Sequence, residues 1–177
     1  MVLIIAFIIM LMALGILCFA IFALIALAVG APYVPSSSER VRRMTVLANI
    51  SPGDHVVDLG SGDGRLLVAA ARRGAHVTGI EINPILVIIS RAWLFLKFHS
   101  AKHRVLFGDF RRFSLKTADI IFCYHLPGKM AALERQIRAE AKPGAIIILN
   151  AFPFPGLKPR QISNNLYVYV VETPDSK

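Results

Sequence analysis

The distribution of apolar and polar residues divides the chain into an apolar N-terminal stretch and a segment of alternating runs. Residues 2–29 are almost wholly apolar, and the first charged side chain is Glu39. From residue 55 onward, short continuous apolar runs alternate with stretches of helical periodicity. These patterns predict strands at 55–59, 76–80, 104–107, 119–124 and 145–150 and helices at 64–73, 84–99 and 128–141. Continuous apolar strands separated by helices are typical of an α/β domain with a parallel sheet covered on both faces.

The C-terminal part of the chain departs from this alternation. The proline-rich segment 151–159 excludes a full helix after the last of these strands, because proline disrupts a helix interior. Residues 166–171 are β-rich and are expected to pair with a short strand around 160–162 through the turn Asn164–Asn165. The sequence therefore predicts a sheet of six or seven strands that ends in an antiparallel hairpin.

The apolar N-terminal stretch is long enough to cross a membrane. As a helix it would measure roughly 40 Å, against about 30 Å for the hydrocarbon core of a bilayer. A cleaved signal peptide is the alternative, with Ala26-Leu27-Ala28 as a possible cleavage pattern. That alternative is disfavoured because no basic side chain precedes the apolar run, which is also about twice the usual length. We expect a transmembrane anchor at 1–30, a linker and helix at 31–54, and a catalytic domain at 55–177.

The residues that follow the anchor predict its orientation and a further helix. Arg40, Arg42 and Arg43 lie just past the apolar run, and the positive-inside tendency places the C-terminal domain on the cytoplasmic side of a single-pass protein. A serine N-cap before Glu39 predicts a helix that runs to about Ile50.

The net charge of the chain bears on whether the protein binds lipid or nucleic acid. The formal net charge of +9 lies entirely after the anchor, where it favours attraction to anionic lipid headgroups or a generally solubilising surface. Nucleic-acid binding is disfavoured, because the basic residues form scattered pairs without interleaved aromatic residues.

Cys18 in the anchor and Cys123 in the domain are not expected to pair, which fits a reducing compartment. The five histidines lack metal-ligand spacing, so no metal is predicted.

A glycine-rich loop follows the first predicted strand. Asp58 lies near the end of that strand, and Gly60, Gly62 and Gly64 follow in a G-x-G-x-G spacing. A dinucleotide site would need a third glycine where Arg65 stands, and Asp58 would repel a pyrophosphate. The carboxylate suits a cationic ligand instead. The pattern D-x-G-x-G-x-G resembles motif I of the class I S-adenosylmethionine-dependent methyltransferases, whose ligand carries a sulfonium and an ammonium.

Two further acidic residues follow the next predicted strands. Glu81 closes the second strand, where a carboxylate can accept both hydroxyls of a ribose. Asp109 follows the third strand, at the position where methyltransferases of this class hold the adenine amino group, and Phe110 beside it is expected to pack on the adenine. Three acidic residues in order, each after its own strand, support S-adenosylmethionine as the cofactor.

The loop after the fourth predicted strand reads Cys-Tyr-His-Leu-Pro at 123–127. It does not match the Asn/Asp-Pro-Pro-Tyr motif of adenine and glutamine methyltransferases, which weakens the case for a nucleic-acid base as the acceptor. Tyr124 is a candidate for orienting an acceptor amine, and His125 for taking its proton. The alternative is that Tyr124 packs in the cofactor pocket and His125 is merely exposed.

The chain as a whole resembles one family, the small S-adenosylmethionine-dependent protein-lysine methyltransferases, often membrane-anchored, with bacterial, archaeal and mitochondrial members. The resemblance covers roughly residues 31–160. It depends on these motifs: Pro-Tyr-Val-Pro-Ser-Ser at 32–37, Asp-Leu-Gly-Ser-Gly-Asp-Gly-Arg at 58–65, Gly-Ile-Glu-Ile-Asn-Pro at 79–84, Gly-Asp-Phe at 108–110, Cys-Tyr-x-Leu-Pro at 123–127 and Ala-Phe-Pro-x-Pro-Gly at 151–156.

That resemblance implies a Rossmann-like fold and places the segment before the first helix of the domain over the cofactor. The cofactor-binding residues it implies are Tyr33, Pro35, Ser36, Asp58, Gly60, Ser61, Gly62, Asp63, Gly64, Glu81, Ile82, Asp109 and Phe110. The expected function is methylation of protein lysines by a membrane-anchored enzyme. A lipid headgroup amine or a quinone precursor as acceptor, or a cofactor-binding regulator without turnover, remain the alternatives.

Overall fold

The computed structural model of the protein describes residues 1–29, 33–125 and 127–172, with the backbone alone at 25–29. The anchor's predicted last residue and the first two linker residues therefore lie outside the described residues, as do Leu126 and the C-terminal five. The helices are α1 (Val2–Val29), α2 (Ser38–Leu47), α3 (Arg65–Ala71), α4 (Pro84–Phe98) and α5 (Pro127–Glu140). The strands are β1 (His55–Leu59), β2 (His76–Glu81), β3 (His103–Phe107), β4 (Ile120–Cys123), β5 (Ile146–Asn150), β6 (Gln161–Ser163) and β7 (Leu166–Val170).

The strands form one seven-stranded sheet in the order β3-β2-β1-β4-β5-β7-β6. The first five strands along the chain pair in parallel, whereas β7 runs antiparallel between β5 and β6. Asn164 and Asn165 turn the final hairpin with φ of 48° and 58°, the left-handed pair that a tight two-residue turn requires. The predicted mixed sheet with its terminal hairpin is confirmed.

The predicted element bounds agree with the observed ones to within a few residues. The largest difference is in α2, which was expected to run to about Ile50 and ends at Leu47. Asn49 adopts a left-handed φ of 49° just beyond that end, and Pro52 cannot continue a helix. At the other end, the side chain of Ser37 caps α2 by accepting the amide of Arg40 at 3.2 Å.

Two apolar layers cover the two faces of the sheet. One layer joins α2, α3 and α4 to one set of strand residues, and the other joins α5 to the alternate set. In β1 the alternation is visible in single residues, because Val56 belongs to the first layer and Val57 and Leu59 to the second. This packing holds the carboxyl ends of the parallel strands at one common edge.

Helix α1 contains the segment Val2–Leu24, 23 residues that are long and apolar enough to cross a membrane. The side chains of this segment are mostly exposed, which distinguishes it from a buried core helix. Near its C-terminal end the helix reaches the domain, where the ring of Phe22 packs edge-on against Phe107 with centroids 6.2 Å apart.

Candidate active site

The predicted site residues meet in one cleft at the carboxyl edge of the sheet. Strands β3, β2, β1 and β4 are neighbours and parallel, so the loops that follow them open at the same edge. The predicted residues that line the cleft are Tyr33, Pro35, Ser36, Asp58, Gly60, Ser61, Gly62, Asp63, Glu81, Ile82, Asp109, Phe110, Tyr124 and His125. The helices that connect these strands across the two faces of the sheet thus bring together segments that are far apart in the sequence.

The glycine loop after β1 is held by the end of β2. The amides of Gly60 and Ser61 donate to the carbonyl oxygen of Ile80 at 2.9 and 3.1 Å. Glu81 accepts the amide of Gly62 on one carboxylate oxygen and the amide of Asn83 on the other, both at 2.8 Å. Backbone donors therefore orient both oxygens of this buried carboxylate at the floor of the cleft.

Asp58 is the acidic residue with the most unusual electrostatics. Burial, reinforced by the nearby carboxylates of Glu81 and Asp63, raises its pKa to about 8. A group in this state gains from a cationic ligand, because a positive charge would offset both the repulsion and the lost hydration. The electrostatics of Asp58 therefore suit the cationic ligand that its position before the glycine loop predicts.

The segment before α2 lies over the glycine loop. A Cβ atom built on Gly62 would lie 2.9 Å from the ring of Tyr33, which shows how closely that ring covers the loop. Arg65 holds the same segment, because its Nη1 donates to the carbonyl oxygen of Ser36 at 2.6 Å. Arg65 also pairs with Asp63 at 2.7 Å. The segment at 33–36 thus forms one wall of the cleft.

The electrostatics of that wall follow from the same pairing. Burial raises the pKa of Asp63, but the hydrogen bonds from Arg65 outweigh this effect and the net shift of the pKa is downward. Burial and the charge of Asp63 raise the pKa of the Tyr33 hydroxyl, so it stays protonated and can donate a hydrogen bond.

The far side of the cleft carries Asp109 and two stacked rings. Hydrogen bonds from Arg111 lower the pKa of Asp109 and keep it ionised. The Nη2 atom of Arg111 lies 2.5 Å from Oδ2 of Asp109. The rings of Phe110 and His125 stack with centroids 4.3 Å apart and an interplanar angle of 25°. The expected packing of Phe110 on an adenine is untested, and one side of the ring already contacts His125.

His125 is buried rather than exposed, and its ring lies against the glycine loop. A Cβ built on Gly60 would be 3.5 Å from its Cε1 atom. Burial lowers the pKa of His125 to about 4, so the ring is neutral at physiological pH. Neither ring nitrogen has a hydrogen-bond partner among the described residues, which leaves both available to a ligand. Tyr124 beside it is half-buried and also lines the cleft.

Gly64 is the one predicted cofactor residue that does not line the cleft. It forms the N-cap of α3 with a φ of 82°, and a Cβ there would overlap Oγ of Ser90. A glycine is needed at this position because the backbone is left-handed and α4 packs closely against it. A direct role of Gly64 in cofactor binding stays a prediction.

Asn83 and Arg65 are site residues to which the sequence alone assigned no role in the cleft. Asn83 caps α4 with its side-chain oxygen, while its Nδ2 is buried without a hydrogen-bond partner in the described part of the chain. The Oγ of Ser61 is in the same state. Both side chains line the cleft, so they offer polar groups to a bound ligand. The motif around Glu81 contained the signal for Asn83, whereas the contact of Arg65 with Ser36 depends on the tertiary fold.

Comparison with solved structures defines the class. The crystal structure of an RNA methyltransferase from Salinibacter ruber, in complex with S-adenosyl-L-homocysteine, superimposes with a TM-score of 0.75 and 28% identity. The match covers 78% of this chain and 94% of that one. The sheet order, the glycine loop and the acidic cleft together identify a class I S-adenosylmethionine-dependent methyltransferase domain.

The family follows from the sequence match. Residues 58–161 match the family described as ANTKMT methyltransferase domain, and the chain belongs to that family. A lysine N-methyltransferase of Xenopus laevis, named for a subunit of ATP synthase, is 35% identical over 133 residues, which cover 74% of this chain and 58% of the relative. A protein-lysine N-methyltransferase of Saccharolobus islandicus is 27% identical over 150 residues, covering 79% of this chain and 93% of the relative. The chain therefore spans little more than half the length of its Xenopus relative.

Proposed function

We propose that the protein is a membrane-anchored methyltransferase that transfers the methyl group of S-adenosylmethionine to lysine side chains of proteins. The observation that carries the proposal is the cleft itself, in a chain of this family. It combines an Asp58 with no ion-pair partner among the described residues, a Glu81 oriented by backbone amides, and a glycine loop whose backbone a ligand can approach closely. These groups match the charges and hydroxyls of the cofactor.

The cofactor supplies a methyl group that its sulfonium already activates for displacement. Asp58 would hold the positively charged end, and the two oriented oxygens of Glu81 would accept the ribose hydroxyls. Asp109 also lines the cleft and would accept the exocyclic amino group of the adenine. The polar atoms of Ser61 and Asn83 that have no partner among the described residues line the same cleft. No metal is needed for this arrangement.

The acceptor side of the cleft is assigned to Tyr124 and His125. A lysine amine attacks only after it loses its proton, so the site must orient an uncharged amine and exclude water. Tyr124 would orient the amine through its hydroxyl or ring face. The neutral ring of His125 can accept a hydrogen bond from the uncharged amine. Because the pKa of His125 is about 4, the ring is a weak base, and the ammonium proton would leave to solvent before the amine attacks.

The membrane location is the second part of the proposal. Helix α1 has the length and composition of a transmembrane span, and Arg40, Arg42 and Arg43 follow it on the side of the domain. We therefore place the domain on the cytoplasmic side of a single-pass protein, where the cofactor is made.

The names of the relatives support a protein acceptor. Both curated relatives described above are named as lysine N-methyltransferases, one of them for a subunit of ATP synthase. RNA is the second candidate acceptor, favoured by the name of the Salinibacter protein. The absence of the Asn/Asp-Pro-Pro-Tyr motif at 123–127 weighs against a base as acceptor.

A labelling experiment distinguishes these acceptors. The full chain, reconstituted in lipid vesicles, is incubated with methyl-tritiated S-adenosylmethionine and with membranes and ribosomes of its host. Protein, lipid and RNA fractions are then separated and counted. We expect label in protein, recovered as methyl-lysine after acid hydrolysis, and none with Asp58→Asn as the matched control. Label confined to lipid or RNA would overturn the lysine assignment, and cofactor binding without any transfer would indicate a regulator.

A further inference from the structure

The side of α4 that faces away from the sheet is apolar. Ile88, Phe95 and Leu96 expose 66%, 65% and 71% of their surface, and Trp93 exposes 49%. The opposite side of α4 packs Leu86, Val87, Ser90 and Leu94 into the core. A helix on the surface of a water-soluble domain normally has a polar outer side, so α4 is apolar on the side where water would be expected.

The anchor places this helix at a defined depth. Phe22, which packs against Phe107 at the end of β3, lies seven residues before the last residue of α1 (Val2–Val29). A helix of 28 residues measures roughly 42 Å, about 12 Å more than the hydrocarbon core. With this excess shared between the two sides of the bilayer, Phe22 lies within about 5 Å of the boundary between the hydrocarbon core and the headgroups. Helix α4 also contacts α1. Phe107 itself is 54% exposed beside this contact.

The chain segment that forms α4 and β3 carries charges of a single sign. Between residues 84 and 107 the chain carries no acidic residue. The basic residues in that range are Arg91, Lys97, Lys102 and Arg104. Lys97 lies over the ring of Trp93, with Nζ 5.1 Å from its centroid. Basic residues beside exposed apolar and aromatic side chains are the composition of a helix that lies in the interface of an anionic bilayer.

We propose that the outer side of α4, together with Phe107, lies in the surface of an anionic phospholipid bilayer. The proposal depends on α1 spanning the membrane, as in the proposed function, and defines how the domain sits on that membrane. The domain is then docked on the bilayer at two points rather than tethered by one helix. Because Ala23 of α1 also lines the cleft, the acceptor lysine is one that lies at the membrane–water interface.

Trp93 is the only tryptophan in the chain and reports on this contact directly. The full chain is reconstituted in vesicles of phosphatidylcholine with phosphatidylglycerol, in which the lipid acyl chains carry bromine near the headgroup. We expect these lipids to quench the emission of Trp93 at least twofold more than lipids brominated near the bilayer centre. Aqueous iodide is expected to quench it weakly. Vesicles of phosphatidylcholine alone should reduce the lipid quenching, because the basic residues lose their anionic partners.

The matched control moves the reporter to the other face of the sheet. Trp93→Phe combined with Ala139→Trp places the single indole at an exposed position on α5. Iodide should quench this indole, whereas the brominated lipids should leave it unaffected. In a second variant, Ile88→Glu with Leu96→Glu, Trp93 should lose most of its quenching by lipid while cofactor binding is retained.

Three results would overturn the proposal. Equal quenching at Trp93 and at the α5 reporter would show that α4 has no preferred contact with lipid. Protection of Trp93 from iodide without lipid quenching would indicate a second copy or another protein on this side. A chain that does not float with the vesicles would overturn the anchor as well. Methyl transfer is measured separately, so failure of the lysine assignment leaves this result interpretable.

Discussion

The backbone amide of Gly62 donates a hydrogen bond of 2.8 Å to Glu81, which joins the glycine loop to the end of the neighbouring strand. The second carboxylate oxygen of Glu81 accepts the amide of Asn83. One side chain therefore sets the position of the loop and the start of α4 at once. Loop geometry and the proposed ribose recognition would both depend on this carboxylate, so we expect the cleft to be sensitive to substitution of Glu81.

Replacement of Glu81 by glutamine should weaken cofactor binding. Glutamine has one carbonyl oxygen, so one of the two amides would lose its acceptor, and a hydrogen bond to a charged group contributes about 1.5–3 kcal/mol. We expect the affinity for S-adenosylmethionine, measured by titration calorimetry, to fall by about 10- to 100-fold. The matched control is Glu39→Gln on the exposed surface of α2, which should leave the affinity unchanged. An equal loss in both variants would contradict a local role.

Cofactor affinity should depend on pH through Asp58. Its pKa of about 8 means that most molecules carry a protonated Asp58 at pH 7, and this proton must leave when a cation binds. We expect affinity to rise with pH between 6 and 8 by up to about tenfold per unit, with proton release detected in buffers of different ionisation enthalpy. The Asp58→Asn variant should bind weakly and release no proton, and an unchanged pH profile would contradict the assignment.

The raised pKa of Asp58 also predicts how the stability of the cofactor-free protein depends on pH. The folded pKa lies above the unfolded value, so between about pH 4 and pH 8 the folded state binds more protons than the unfolded state. Stability should therefore decrease as the pH rises through this window. Saturating cofactor should reduce that decrease, which thermal unfolding at several pH values would show.

Gly64→Ala should destabilise the domain although Gly64 does not line the cleft. The φ of 82° costs an L-residue roughly 1–2 kcal/mol, and the clash with Ser90 adds about 1–3 kcal/mol of overpacking. Chemical denaturation should show a loss of at least about 2 kcal/mol on this account. Gly128→Ala is the matched control, because apart from its chain neighbours and its own helix backbone no described atom lies within 4 Å of a Cβ built there. A neutral Gly64→Ala would show that the turn relaxes easily.

His125→Phe tests the acceptor side of the cleft. The new ring retains the stacking on Phe110 and removes both ring nitrogens. We expect cofactor affinity to change by less than about threefold, whereas kcat should fall about tenfold or more if the ring nitrogen accepts from the amine. With a pKa of about 4, His125 should contribute no inflection to the rate between pH 6 and 9. His76→Phe, at the opposite edge of the sheet, is the control, and an unchanged kcat would remove His125 from the mechanism.

Much of the fold and the cofactor site could be predicted from local patterns. The alternation of apolar runs and helices predicted the parallel core of the sheet, and Asn164–Asn165 predicted the hairpin. Asp58, Glu81 and Asp109 were assigned to one cofactor because each follows its own strand, and the structure brings them to one cleft because the carboxyl ends of adjacent parallel strands share an edge. The extent of α2 was overestimated, because the backbone reversal at Asn49 leaves only a weak signal in composition.

The sequence by itself determined the strands, the glycine loop, the acidic strand ends and the apolar N-terminal helix, since each depends on residues that are close along the chain. Only the tertiary structure decided that Tyr33 covers Gly62, that His125 is buried against Phe110, and that the exposed side of α4 is apolar in a helix that contacts α1. The physical reason is that burial, pKa and exposed surface depend on which distant segments pack together. The periodicity of apolar residues indicates each helix or strand separately and does not show which of these elements pack together.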